Sequence, residues 1–334
     1  MSATDNNQSN SWFSSDRRRL IIQEYGIFLA FLLLAVVLSF SNQYFLTAGN
    51  ISNVFLQTSI NGVLAIGMTF VILTRGIDLS VGSVVALTGI VSASFATTSA
   101  TAGIIGAPYP PYVALAVGLL VGVACGAVVG LIVSRFAVPA FVATLGMLSA
   151  ARGLTLIYGG GKPVPALTPD FRWIGTGSVL SIPMPVILLA LVFIVAWWVL
   201  NRTRFGRYIY AVGGNPHAAI TSGINVSKLR FLVYVISGGL SGLAGMILAA
   251  RTGSALPQAG IAYELDAIAA VVIGGTSLSG GVGRITGTLI GALIIGVMNN
   301  GLDLMGIQSY YQQVLKGALI VGAVMLDQKR NLGG

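Results

Sequence analysis

The sequence predicts an all-α polytopic membrane protein that crosses the bilayer about ten times as one domain. Three observations predict it. Charged residues make up only 8% of the chain and hydrophobic ones 55%, whereas a soluble domain carries roughly a quarter charged residues. Ten apolar stretches approach the roughly 20 residues that a spanning helix needs. The basic residues gather at alternate ends of those stretches. The 44 glycines suit close approach between membrane helices.

The chain opens on a polar, Ser/Asn-rich stretch with no apolar core directly behind it. Residues 1–19 therefore read as a flexible cytoplasmic tail rather than a cleaved signal, and residues 20–328 as a single transmembrane domain. The ten expected segments are 25–40, 51–73, 79–96, 112–133, 138–158, 182–200, 231–250, 265–280, 285–302 and 310–326. Segments one, eight and ten are short. A glycine-rich break is all that separates segments eight and nine, so nine or eleven crossings stay open.

Charge placement tests the count. With Arg17, Arg18 and Arg19 inside, ten crossings put 13 of the 18 basic residues on that side. The loops at 42–50 and 97–111 carry none. Such an asymmetry marks cytoplasmic loops and predicts both termini inside. The formal charge of +9 is then a topology signal, and nucleic acid is not an expected partner. The outer loop at 159–181 contains Pro163, Pro165 and Pro169, which favour an extended or turning path. Trp197 and Trp198 end segment six as interfacial anchors. Cys125 and His217 are the only residues of their types, so an internal disulfide is impossible and a metal site is not expected.

Nucleotide-binding motifs are missing. GGGKP at 159–163 lacks the earlier glycine and the Ser/Thr of a phosphate-binding loop. GGVGRITG at 280–287 has its third glycine one residue late and no βαβ context. The chain carries no recognisable means of binding ATP.

The longest inner loop, 201–230, holds the polar stretch GGNPHAAITSG. Asn215 is a good N-cap, Pro216 suits the first helical position, and Gly223 supplies a left-handed stop. Between them His217 to Ser222 form two turns at most. A helix this short is marginal alone. One reading is a capped connector between spans; another is a helix held by a partner.

Several blocks bear on that choice: RTRFGRYIYAVGGNPHAA at 202–219, LAIGMTFVILTRGIDLSVGSVVALTG at 64–89, PAFVATLGMLSAARG at 139–153 and YELDAIAAVVIGGTSLSGGVGRITGTLIGA at 263–292. With HAAITSG, which matches E-A-A-x-x-x-G except for His217 in place of Glu, they make the chain resemble ribose-type sugar permeases of ABC importers. These belong to one superfamily with the branched-chain amino-acid permeases. The likeness covers about 25–329. It implies the importer permease fold of the type II-like class, and a membrane subunit that moves a ribose-like pentose or hexose inward by alternating access. It also implies a separate ATPase subunit carrying ATP and Mg²⁺, a periplasmic or extracellular sugar-binding protein, and a second permease copy forming a homodimer in the bacterial cytoplasmic (inner) membrane. Asn215, Pro216, His217, Ala218, Ala219 and Gly223 would then form the helix that docks in the ATPase. Arg204 and Arg207 would pair with its acidic residues or anchor the loop at the membrane.

Polar residues inside spans are candidates for the substrate path: Asn61, Thr69, Thr144, Arg152, Asn299 and Asn300. The plainer reading for the amides and hydroxyls is hydrogen bonding between helices. Lys316 is also costly to bury and calls for a partner or water. Arg251, Glu264 and Asp266, at the outer end of segment eight, would meet the binding protein or pair with each other. Asp78, near the start of segment three, favours the helix dipole there. GIDLSVG at 76–82 echoes GTSLSGG at 275–281, and transporters are often built from repeats.

The alternative to an ABC permease is a secondary carrier driven by an ion gradient. Carriers keep carboxylates within the membrane, and the span centres here carry almost none. A membrane-embedded enzyme would need a cluster of nucleophile, base or metal ligands, and none is legible.

Overall fold

In the computed structural model, residues 15–332 are described. Thirteen helices and one two-stranded ribbon follow in order. They are α1 (Ser15–Ser41), α2 (Ala48–Leu73), α3 (Val81–Ala96), α4 (Pro111–Arg135), α5 (Ala140–Gly159) and α6 (Pro169–Thr176). Then come β1 (Ser178–Val179), β2 (Ile182–Pro183), α7 (Met184–Arg202), α8 (Arg204–Gly214), α9 (Pro216–Thr221) and α10 (Val226–Thr252). The last three are α11 (Tyr263–Ile273), α12 (Ile285–Leu304) and α13 (Ser309–Leu332). Of the tail expected over 1–19, residues 1–14 lie outside the described residues, and residues 15–19 are already in α1.

Each of the ten expected segments coincides with a helix, but the helices are unequal. Among the described residues, six are long and apolar enough to cross a bilayer: α2, α4, α5, α7, α10 and α12. The apolar parts of α1 and α3 are shorter. Segment eight corresponds to α11 alone, which has 11 residues. At 1.5 Å per residue it rises about 16 Å, half of a hydrocarbon core of about 30 Å. Gly274 and Gly275 stop it, Gly275 with φ +84°, and a loop runs on to α12.

That stop clarifies the internal echo. The end of α2 is closed by hydrogen bonds from Arg75 N to Ile72 O and from Gly76 N to Val71 O. The end of α11 is closed alike, by Gly275 N to Val272 O and Thr276 N to Val271 O. Both are Schellman stops, with Arg75 (φ +65°) and Gly275 in the left-handed position. The structural register is therefore one residue off the sequence match, pairing Arg75 rather than Gly76 with Gly275.

α2 is the central helix: 89% of its apolar window is buried, against 22% for α5 and for α7. It packs on α10, α12, α11 and α7. The closest seam joins α4 to α10. Gly118, Gly122, Gly126 and Gly130 recur every fourth residue along one face of α4, and a Cβ on Gly122 would stand 2.9 Å from the Gly242 Cα. Only glycine lets the two backbones approach so closely.

Two features of the connections were not foreseen. The loop expected outside contains α6, whose Phe171 is fully buried and which packs against α10. The loop expected inside contains α8, started by Thr203, whose hydroxyl accepts from Gly206 N. The buried residues of α8 are Gly206, Ile209, Val212 and Gly213, an amphipathic spacing present in the sequence.

Candidate functional site

α9 forms as its residues dictate. The Asn215 side chain accepts from Ala218 N at 3.0 Å and Pro216 takes the first turn. Gly223 has φ +81°. Gly223 N donates to Ile220 O and Ile224 N to Ala219 O, closing the helix. Ala219 is buried against the body, whereas His217, Ala218, Ile220 and Thr221 face outward. Ile220 is 58% exposed, an apolar side chain at the tip of a polar loop. Arg202, Arg204 and Arg207, at the end of α7 and the start of α8, are exposed, and the Arg202 guanidinium lies 6.0 Å from the Trp197 ring centroid. The result is a short, presented helix that shows His217, Ala218, Ile220 and Thr221 to the outside.

Contacts beneath α9 fix its position. Arg75 donates from Nε to Gly213 O and from Nη2 to Gly214 O, each at 2.7 Å. Gly281 N donates to Leu73 O at 3.0 Å. The Tyr210 hydroxyl donates to Gly283 O at 3.0 Å; burial pushes that phenol's pKa up, with the Arg284 charge opposing. Sequence reasoning treated Arg75 only as a topology marker. Its left-handed backbone, rare for arginine, was not legible.

The expected pathway residues separate into two groups. Most join helices. Thr69 Oγ1 lies 2.8 Å from Thr288 Oγ1, linking α2 to α12. Asn300 and Asn50 exchange a pair of amide hydrogen bonds at 2.8 and 2.9 Å. Thr144 donates to Ala140 O in its own helix at 2.9 Å. Asn61 is buried on α2. Arg152 donates from Nη1 to Pro257 O at 2.5 Å and Ala259 O at 3.0 Å, holding the segment before α11. That segment, with α3 and α10, encloses a cavity of about 310 Å³ whose polar lining includes Thr252, Ser254, Gln258 and Tyr263.

The second group is an ionic cluster. Lys316 Nζ lies 2.9 Å from Asp266 Oδ2, and Asn299 Nδ2 donates to the same oxygen at 3.4 Å. Asp266 Oδ1 and Asn299 Oδ1 are buried with no hydrogen-bond partner. Two expectations are corrected here. Asp266 is 3% exposed and its ion-pair partner is Lys316, so it offers no surface to a docking protein and does not pair with Arg251. Glu264 is partly buried and Arg251 is likewise only partly exposed. Among the described residues the buried carboxylates stand at helix starts and not at span centres. Asp266 lies in α11, and Asp78 is buried at 2%, accepting from Ser80 Oγ at 2.6 Å and from Ser237 Oγ at 2.7 Å. Both are neutralised or fully hydrogen-bonded, as burial requires.

Comparison with known proteins follows this geometry. A family model described as "Branched-chain amino acid transport system / permease component" matches residues 50–324. The chain is 50% identical over 313 residues to the ribose import permease protein of Escherichia coli (strain K12), spanning 92% of this chain and 95% of the relative. It is 47% identical over 313 residues to the ribose import permease protein of Bacillus subtilis (strain 168), spanning 93% and 94%. It is 42% identical over 311 residues to the D-allose transport system permease protein of Escherichia coli (strain K12), spanning 92% and 93%. No solved structure matches.

Proposed function

We propose a function from one premise: the chain belongs to the family of branched-chain amino acid transport system permease components. It is the membrane-spanning permease subunit of a binding-protein-dependent ABC importer that brings a monosaccharide into the cytoplasm. The carrying observation is its 50% identity to a ribose import permease along nearly its whole length. The geometry of α9 supports the same reading, because a presented helix of two turns calls for an outside partner. The ion-gradient carrier is not favoured.

The proposal places ATP and Mg²⁺ on a partner ATPase, in whose cleft α9 sits through His217, Ala218 and Ile220. It places a sugar-binding protein on the opposite face of the membrane and a second permease subunit alongside. The chain is a multi-pass protein of the bacterial inner membrane, with ten segments and both termini inside. Residues that share a face by hydrogen bonding support that topology. Arg75, Gly213 and Gly281 meet on one side, as do Ser227 and Ser134. The bridges Thr97–Leu167 and Val164–Ala255 lie among loops assigned to the other. Asn299, beside a buried carboxylate with an open acceptor, is the pathway candidate best suited to sugar hydroxyls.

Ala218→Trp tests the docking. It adds bulk to an exposed position of α9 without touching the membrane body. Loss of ATPase co-purification, with the permease still folded and inserted, supports the reading. Full co-purification and uptake count against it.

A further inference from the structure

Three features stand beyond the docking helix: the cavity before α11, the ionic cluster of α11, α12 and α13, and the knot of backbone beneath α9. Every connection in the knot is a contact between elements distant in sequence.

Three chain segments converge there at backbone distance. They are the end of α2 (Leu73 to Arg75), the end of α8 (Gly213 and Gly214) and the turn before α12 (Gly280 to Gly283). A Cβ on Gly213 would collide with Leu73 O and Gly281 N, and a Cβ on Gly281 would stand 2.6 Å from Gly214 N. No side chain fits between these strands. The knot is fastened from two sides. Arg75 forks onto the last two carbonyls of α8, immediately before the Asn215 cap of α9. Charge-assisted bonds of this kind are roughly twice as strong as neutral ones, and a cation suits a helix C-terminus. Tyr210, one turn earlier on α8, reaches Gly283 O on the other segment.

We infer that Arg75 and Tyr210 form a double clasp that transmits displacement of α9 to the α2–α12 pair. This inference rests on the reading of α9 as the helix that docks in an ATPase. α8 and α9 share Asn215 as the end of one and the cap of the other, so a push on α9 moves the α8 terminus. The clasp ties that terminus to the end of α2 by Arg75 and to the start of α12 by Tyr210. α2 and α12 are in turn bonded through Thr69 and Thr288. Arg75 and Tyr210 are positioning residues, acting through the backbone carbonyls they hold.

The experiment uses the whole importer, permease with its ATPase and binding protein, in proteoliposomes, and reads sugar moved per ATP hydrolysed. Arg75→Gln should lower that ratio at least fivefold while basal hydrolysis stays within twofold of the parent. Arg75→Lys, which can reach one carbonyl, should fall between. Tyr210→Phe removes one hydrogen bond and should lower the ratio about twofold. An unchanged ratio in both R75Q and Y210F overturns the clasp. So does a proportional fall of uptake and hydrolysis, which marks a purely structural role. If R75Q does not assemble, Y210F decides: a lowered ratio supports the clasp and an unchanged one overturns it. Failure of the underlying reading looks different, because Ala218→Trp would then leave ATPase co-purification and uptake intact.

Discussion

Lys316 Nζ lies 2.9 Å from Asp266 Oδ2, tying α13 to α11, the shortest of the helices that match the ten expected segments. With 11 residues α11 cannot bury its own ends in lipid, and its first turn carries an acid that membrane burial would penalise. The lysine compensates the acid, and each is costly without the other.

The pair predicts an asymmetric mutant series. Asp266→Asn or Lys316→Met alone leaves a buried charge unmatched and should cost about 3–5 kcal/mol. The double variant D266N/K316M should recover most of the loss. Thermal unfolding of the purified permease in detergent measures this. A double variant no more stable than the singles would contradict the pairing.

The α4–α10 seam predicts intolerance of bulk. Gly126→Leu places a side chain where even a Cβ meets the Gly238 Cα at 3.1 Å, and overpacking of a fitted interface costs at least about 1–3 kcal/mol. Gly146→Leu on α5 is the control, since its Cβ meets nothing within 4 Å. Comparable folded yields of the two variants would refute the seam.

Much of this was legible. Each expected apolar segment overlaps a helix, and the Asn215 cap, the Pro216 start and the Gly223 stop follow from local chemistry. Lys316 could be said to need a partner because burial of a bare ammonium is expensive. What the sequence hid were relations between distant segments. Nothing local marks Arg75 as the residue that reaches α8, or Asp266 as the one that faces α13 rather than the outside. α8 was missed although its buried Gly206, Ile209 and Val212 have helical spacing, because a loop rich in arginine reads as solvated surface. α11 was overlong in the reading because apolar composition continued through the glycines that stop it.

Gly223 predicts a conformational effect without a steric one. Its φ is +81° and a Cβ there would meet nothing, so Gly223→Val strains only the backbone, by about 1–3 kcal/mol. The end of α9 should shift. Uptake should fall severalfold while ATP hydrolysis persists in the assembled importer. Parallel loss of both, or of neither, would argue against a coupling role for this turn.

The central claim is import driven by a partner's ATP hydrolysis. Sugar uptake into vesicles bearing the permease, its ATPase and its binding protein tests it most directly, with ATP and a protonophore varied independently. The account predicts uptake that stops without ATP and continues at an undiminished rate when the ion gradient is collapsed. Uptake that survives ATP depletion and stops with the protonophore would contradict it.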